Sequence, residues 1–170
     1  GYTRRIVDNF TMSLTARYIR SDYTKFGSDY YKAGNAFTFD LGFYYENTIE
    51  SFYGSTWAVG LNVSNVGTKL DISVPSNPIA MPAYAKLGGS IDMPFSENHK
   101  LLAALDLGYT FMPSTDASFT AGLGLEYNFL KHGFLRAGYH YGDEKSIGGS
   151  YATVGLGAAV GPVRSMLHTG

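Results

Sequence analysis

The stretch FTMSLTARYIRSDYT, residues 10–24, alternates apolar side chains with small or polar ones. The apolar set is Phe10, Met12, Leu14, Ala16 and Tyr18, and the residues between them are Thr11, Ser13, Thr15 and Arg17. Because successive side chains of a β-strand point to opposite faces, this rhythm predicts a strand with one apolar and one polar face. The strand is long: a soluble strand averages roughly 5 to 6 residues, whereas a tilted membrane-crossing strand needs about 9 to 11.

The same alternation recurs along the chain, in segments bounded by turn-forming residues. It predicts strands near residues 10–20, 33–45, 56–65, 85–95, 101–111, 117–129, 134–142 and 151–161, with a further strand beginning at Val163. No segment has a convincing period of 3.6 residues. The predicted fold is therefore all-β, an antiparallel meander in which neighbouring segments pair.

The connections between these segments alternate between two kinds. One kind is mostly tight and comprises ENTIESFYGS (46–55), SENHK (96–100), LKHG (130–133) and GP (161–162). The other is mostly longer and comprises SDYTKFGSDYYK (21–32), VGTKLDISVPSNPIAMPAY (66–84), MPSTD (112–116) and DEKSIGGS (143–150). Short turns at one end and long loops at the other are typical of an outer-membrane barrel. ENTIESFYGS is long for its side and MPSTD is short for its own.

Composition narrows the class of protein. The 170 residues carry a formal net charge of -1, so no charged field selects nucleic acid as a partner. Cysteine is absent, which excludes disulfides and thiolate metal sites. Charged residues make up 16% of the chain, and glycine, tyrosine and phenylalanine number 21, 14 and 11. This balance favours long aromatic strands with little water-exposed surface.

The residue types on the two predicted faces indicate which face points outward. The apolar face carries no charge in the strand interiors, and a lysine or arginine in contact with lipid at mid-membrane costs about 2 to 4 kcal/mol. The opposite face is rich in glycine, serine, threonine and asparagine, whereas a solvated outer surface normally carries many more lysine and glutamate side chains. The pattern favours a transmembrane antiparallel up-and-down β-barrel over the alternative, a soluble ligand-binding barrel.

Aromatic residues cluster near both ends of the predicted strands. One group is Phe10, Tyr45, Trp57, Phe95, Phe129 and Phe134, and the other is Tyr18, Tyr109, Phe111, Phe119, Tyr139, Tyr141 and Tyr151. Tyrosine and tryptophan favour the lipid headgroup region, because part of the ring prefers hydrocarbon and the polar atom prefers water. The two groups therefore predict two aromatic girdles.

Several segments resemble one family. They are ARYIRSDYT (16–24), AGNAFTFDLGFYYEN (33–47), WAVGLNVSNVGTKLDIS (57–73), PAYAKLGGS (82–90), HKLLAALDLGY (99–109) and LRAGYHYGDE (135–144). Together they resemble the PorV (LptO) outer-membrane proteins of the type IX secretion system, and more distantly the FadL-like barrels. SNVGTK and AGNAF are the more specific segments. The resemblance covers most of the chain, and the PorQ-like branch of the same machinery stays open.

The resemblance implies a fourteen-stranded barrel in the outer membrane of a Gram-negative bacterium of the Bacteroidota. Residues 1–170 would be a single barrel domain, the C-terminal part of a longer barrel whose N-terminal strands and plug segment lie elsewhere. The implied function is to bind the C-terminal signal domains of secreted cargo and to shuttle them from the large translocon barrel to a surface sortase, or to dock on the translocon. Membrane lipid or lipopolysaccharide would surround the wall. The alternative is a FadL-like transporter of hydrophobic small molecules.

Two sets of residues are candidates for a site. Charged and titratable residues of the polar face predict a lumenal ion-pair and hydrogen-bond network: Arg17, Asp40, Lys86, Asp92, Asp106, Glu126, Arg136 and His140. Aromatic and aliphatic residues of the two longest loops predict a protein-binding surface: Tyr23, Phe26, Tyr30, Tyr31, Leu70, Ile72, Ile79 and Met81. For the first of these loops, an ordinary exposed loop near the aromatic girdle is an equally good interpretation.

Catalytic and cofactor interpretations are weak. The histidines His99, His132, His140 and His168 are scattered, and no metal-ligand spacing links them. The chain has no G-x-S-x-G elbow between a strand and a helix. GLGAAVG (155–161) imitates a nucleotide-binding motif but lies in a predicted strand with no helix after it. We therefore expect a non-enzymatic protein without a cofactor.

Overall fold

The computed structural model describes residues 1–22, 31–51, 53–73, 76–143 and 149–159. They form one antiparallel sheet of nine strands, and each strand pairs with its neighbours in chain order. The strands are β1 (Tyr2–Val7), β2 (Phe10–Ser21), β3 (Gly34–Ile49), β4 (Ser55–Gly67), β5 (Ala83–Ser96), β6 (His99–Met112), β7 (Ser118–Phe129), β8 (Gly133–Gly142) and β9 (Tyr151–Ala158). Among these residues no helix is long and apolar enough to cross a membrane.

The predicted all-β, up-and-down arrangement is confirmed. Each strand predicted between residues 10 and 161 is present, although most extend further than predicted. The structure adds β1, whose side chains are exposed throughout and whose two adjacent arginines, Arg4 and Arg5, break the alternation. A bulge between Arg5 and Val7 breaks its register with β2. The strand predicted to begin at Val163 lies outside the described residues.

The connections follow the predicted alternation between the two ends of the sheet. At one end lie the turns at residues 8–9, 50–54, 97–98 and 130–132, and at the other lie the connections 22–33, 68–82, 113–117 and 143–150. Half of the apparently long ENTIESFYGS is strand, because β3 continues to Ile49 and β4 begins at Ser55. It therefore belongs with the tight turns. The MPSTD connection remains short and contains a 3-10 helix, Ser114–Asp116.

The register places the bulky apolar side chains on one face and leaves them uncovered. Phe39, Leu61, Leu105 and Leu123 are 52%, 39%, 52% and 50% exposed. They are cross-strand neighbours of other apolar residues, as in the pairs Leu61–Leu87 and Leu105–Leu123. A soluble barrel would bury these side chains in a core. The structure therefore has the polarity expected of a sheet whose outer surface meets an apolar medium.

The opposite face is polar and concave. The predicted richness in glycine is present, because ten glycines lie there by register: Gly34, Gly42, Gly60, Gly88, Gly108, Gly122, Gly124, Gly138, Gly155 and Gly157. Hollows of about 410 and 400 Å³ lie above this face, and their lining includes Asn62, Lys86, Asp106 and His140. A wall lined by small residues leaves room for another segment to approach closely.

Two aromatic residues depart from the predicted girdles. Phe134 and Tyr151 lie near strand ends, but the register turns both toward the polar face. The guanidinium carbon of Arg136 lies 5.6 Å from the ring centre of Phe134. The ring of Tyr151 stacks on His140, with the ring centres 4.9 Å apart. Their positions in the sequence therefore predicted correctly that they lie near strand ends, but did not predict the face of the sheet on which their side chains lie.

Candidate functional site

The connection between β4 and β5 folds back onto the polar face. We call its described parts, residues 68–73 and 76–82, the roof segment. A side chain at Gly34 in β3 would collide with the carbonyl oxygen of Asp71 and would lie 2.8 Å from a methyl carbon of Ile72. The roof segment therefore lies directly against the wall at this point, and only glycine at residue 34 permits the approach.

Backbone hydrogen bonds give the roof segment a defined shape. Leu70 and Ile79 exchange both backbone bonds, at 2.8 and 2.7 Å. The amide of Lys32 donates to the carbonyl of Ile72 at 2.9 Å, and Tyr31 forms an isolated bridge with Ser73. The segment is thus a small hairpin that pairs on one side with the residues just before β3.

The first anchor of the roof segment lies at its base, on the polar face. The Asp40 carboxylate pairs with Arg17 at 2.5 Å and accepts the backbone N–H of Asn65 at 2.8 Å. The Asn65 side chain accepts a bond from Arg17 at 3.1 Å and donates to the carbonyl of Pro82 at 3.0 Å. Asp40 is only 8% exposed. These contacts join β2, β3 and β4 to the last residue of the roof segment.

The backbone conformation of Asn65 explains how this anchor forms. The register of β3 with β4 shifts between Phe39 and Leu41, and Asn65 adopts a φ of 59°. Asparagine tolerates this left-handed conformation better than most residues. The resulting bulge turns the Asn65 amide toward Asp40, where an unbulged strand would have used it in the ladder.

The second anchor lies at the outer part of the roof segment. Asp71 Oδ2 pairs with Lys32 Nζ at 2.7 Å and accepts the hydroxyl of Ser76 at 2.5 Å. The Lys32 bond, followed by the Ser76 bond, holds the pKa of the Asp71 carboxyl below its ordinary value. Both charged side chains are partly exposed, so solvent screens this pair.

The predicted protein-binding residues have different environments. Tyr31 and Ile79 are 48% and 54% exposed. Leu70 and Met81 are half-buried, and Ile72 faces Gly34. The remaining predicted residues, Tyr23, Phe26 and Tyr30, lie outside the described part of the chain. Among the described candidates, Tyr31 and Ile79 are therefore the ones with large exposed side chains.

The predicted lumenal residues all lie on the polar face, but their contacts are local. Arg17 pairs with Asp40, and Arg136 pairs with Glu126 at 2.5 Å. Asp92 pairs with Lys100, also at 2.5 Å.

The other three predicted lumenal residues line the hollows. Lys86 and Asp106 border the same hollow, and neither forms an ion pair within 4.0 Å with another described residue. His140 stacks on Tyr151. Among the described residues, the ion pairs of this face are therefore local, and the pair of Arg17 with Asp40 extends through hydrogen bonds to Asn65 and Pro82.

Sequence reasoning missed several residues that make these contacts. The sequence pattern assigns no contact to four of them, which it places only in loops or strands: Asn65, Lys32, Ser76 and Lys100. The sequence carries only a weak signal for the positive φ of Asn65, which is that Asn65 precedes the VG pair that ends β4. Nothing in the sequence shows that Lys32 and Asp71, which belong to different loops, meet.

No group of three or more histidine, aspartate or glutamate side chains among the described residues could hold a metal ion. His99 Nδ1 lies 2.8 Å from the Tyr127 hydroxyl and its ring stacks on that tyrosine. His168 lies outside the described residues. His140 stacks on Tyr151, and His132 lies exposed in the turn between β7 and β8.

Comparison with known proteins identifies a family over most of the chain. A family model described as type IX secretion system protein PorV matches residues 1–117. The matched region contains β1 to β6, the roof segment and both of its anchors. No match was found among curated proteins. Strands β7 to β9 continue the same sheet in the same antiparallel order beyond the match.

Proposed function

The chain belongs to the PorV family of type IX secretion system proteins, and on that premise we propose that it is a non-enzymatic outer-membrane subunit that binds secreted cargo. In this proposal it recognises the C-terminal signal domains of cargo proteins and passes them from the translocon barrel to a surface sortase. Docking on the translocon is part of the same role. The organism would be a Gram-negative member of the Bacteroidota.

The observation that carries the membrane part of the proposal is the inverted polarity of the sheet. Large apolar side chains cover the outer face, and their exposure to water would be costly at about 25 cal/mol per Å². The polar groups lie on the concave side. Contact of the outer face with hydrocarbon removes that cost. Additional strands would close the wall, because unpaired strand edges are not tolerated in lipid.

The alternation of connections supports an orientation. Barrels of the outer membrane place short turns in the periplasm and longer loops outside. The turns at residues 97–98 and 130–132 would then face the periplasm, and the roof segment would face the cell surface. The predicted binding residues Tyr31 and Ile79 lie at the surface end. A cargo-binding role requires this placement.

The roof segment has properties suited to recognition of a protein. Its hairpin is fixed by backbone bonds and by two charged anchors. A fixed surface loses little conformational entropy on binding, and exposed aromatic and aliphatic side chains supply contact area. Pro78 removes a backbone donor next to Ile79, which disfavours pairing with a partner strand at this edge. Recognition through side chains is therefore the better model.

The alternative function is transport of a hydrophobic small molecule, as in FadL-like barrels. The observation in its favour is the pair of hollows on the polar face, of about 410 and 400 Å³. Transport requires a passage from the surface to these hollows. The roof segment lies across the surface end of β3, which favours the binding role.

The proposal is tested by recovery of partners from native membranes. We expect that Tyr31→Ala combined with Ile79→Ala lowers the amount of translocon and cargo signal domain that copurify with the full-length protein. The matched control is Tyr53→Ala, which removes an exposed tyrosine at the turn end of the sheet. Unchanged recovery in the double variant would exclude this surface. Repeated recovery of the barrel alone with a bound lipid would favour transport.

A further inference from the structure

Several of the buried residues lie near the roof segment, while Ser55 at the turn end of β4 and Ser118 in β7 are buried elsewhere. Ala36 and Thr38 of β3 are fully buried, as is Ala83 at the start of β5. Ala36 and Thr38 share the polar face with Gly34, against which Asp71 and Ile72 pack. Over the rest of the polar face the glycine-lined wall borders open hollows. The roof segment therefore covers the surface end of β3, whereas the middle of the wall borders the hollows.

Charged groups hold the roof segment at both of its ends. At the base, Asp40 is held by Arg17 and Asn65, and Asn65 in turn holds Pro82. At the outer part, Asp71 is held by Lys32 and Ser76. A single ion pair would let the roof segment rotate about it. Two separate anchors restrict that rotation. The contacts also bring together residues distant in sequence, including Arg17 with Asn65 and Lys32 with Asp71.

We propose that the roof segment is a closed lid over the surface end of the barrel interior, fastened by the Asp40 and Asp71 anchors. The lid separates the hollows from the outside medium, and it presents Ile79 to partners while it stays closed. This inference rests on the proposed function as a surface-facing outer-membrane barrel. It adds that partners are bound on top of a closed interior and do not enter it.

The glycine contacts provide a matched pair of variants. A leucine at Gly34 would displace Asp71 and Ile72 from the wall. A leucine at Gly124, on the same face in β7, meets nothing within 4 Å of its Cβ. Asp71→Ala is a second way to loosen the lid, and it changes only a partly exposed loop residue.

The test uses the full-length protein in intact cells and a bulky maleimide that cannot cross the membrane. Because the chain contains no cysteine, Ser90→Cys reports access to the interior and Ser114→Cys reports access at the surface end. We expect Ser90→Cys to react much more slowly than Ser114→Cys. Gly34→Leu or Asp71→Ala should speed the Ser90→Cys reaction at least about tenfold, which corresponds to loss of one charged hydrogen bond. Gly124→Leu should not change it.

The outcomes separate the lid from the proposed function. Equal reaction of Ser90→Cys and Ser114→Cys in otherwise unaltered protein would overturn the lid. Unchanged Ser90→Cys reaction in both Gly34→Leu and Asp71→Ala would also overturn it, since something else then closes the interior. Failure of Ser114→Cys to react from outside would instead contradict the membrane orientation, and both proposals would fall.

Discussion

The two sides of strand β3 differ sharply in exposure at neighbouring residues. Phe37 and Phe39 are both half-exposed on the outer side, whereas the adjacent Ala36 and Thr38 are fully buried on the inner side. A soluble protein would show the reverse, with phenylalanine inside. This difference supports the proposal that hydrocarbon contacts the outer face, while the roof segment packs against the inner face at Gly34.

The largest expected effect comes from a charge on the outer side of the wall. Leu105→Arg should destabilise the full-length barrel in lipid by about 2 to 4 kcal/mol, because its guanidinium would face hydrocarbon. Ala104→Arg, one residue away on the inner face, should be tolerated because the side chain enters a hollow. Urea unfolding in lipid vesicles measures the free energy of unfolding of both variants. Equal destabilisation by the two variants would remove the distinction between the faces.

A smaller effect is expected inside the covered region. Asp40→Ala should cost about 1 to 3 kcal/mol, since it leaves the Asn65 amide without its acceptor and Arg17 without its carboxylate. The same unfolding measurement, combined with hydrogen exchange at residues 65–73, checks this. We expect faster exchange in the roof segment than in the unaltered protein. Unchanged exchange there would show that Asp40 does not hold the roof segment.

A still smaller effect is expected where the inner face is open. Glu126→Ala should change stability by about 0 to 1 kcal/mol, because its partner Arg136 is well exposed and solvent screens the pair. The value comes from the same urea titration as for Asp40→Ala. A cost equal to that of Asp40→Ala would mean that cover by the roof segment does not determine the strength of these ion pairs.

The smallest effect concerns the pH dependence of the outer anchor. Lys32 and then Ser76 lower the pKa of Asp71 in the folded protein, so the anchor is fully formed above the ordinary aspartate pKa. It is lost only as the pH falls through the lower folded value. Lys32→Met should raise that midpoint toward the ordinary value in an NMR titration of the Asp71 carboxyl. An unchanged midpoint would assign the shift to another group.

The faces of the sheet could be predicted from the sequence because side-chain direction in a strand depends only on residue parity. The same rule placed Asp40 and Arg17 on the inner face before their contact was known. Residue parity could not identify their partner Asn65, because the register of β3 with β4 shifts between Phe39 and Leu41. Parity also fails for β1, where Arg4 and Arg5 interrupt the alternation.

The contacts of the roof segment could not be predicted because they join residues far apart in the chain. The prolines of residues 66–84 favour a rigid loop but do not indicate the direction in which it folds. Gly34 is one of many glycines of the polar face, and nothing in its local sequence distinguishes it from Gly124. The difference is that Asp71 and Ile72 lie against one and not the other. Only the three-dimensional arrangement carries that information.

The most direct test of the account is a labelling scan along β6 of the full-length protein in lipid vesicles. Single cysteines at residues 101–108, introduced into this cysteine-free chain, would each carry a fluorophore. We predict that lipid-dissolved quenchers act on the odd-numbered positions and a water-soluble quencher on the even-numbered ones. Quenching without a two-residue period, or with the two sets exchanged, would contradict the assignment of the apolar face to hydrocarbon.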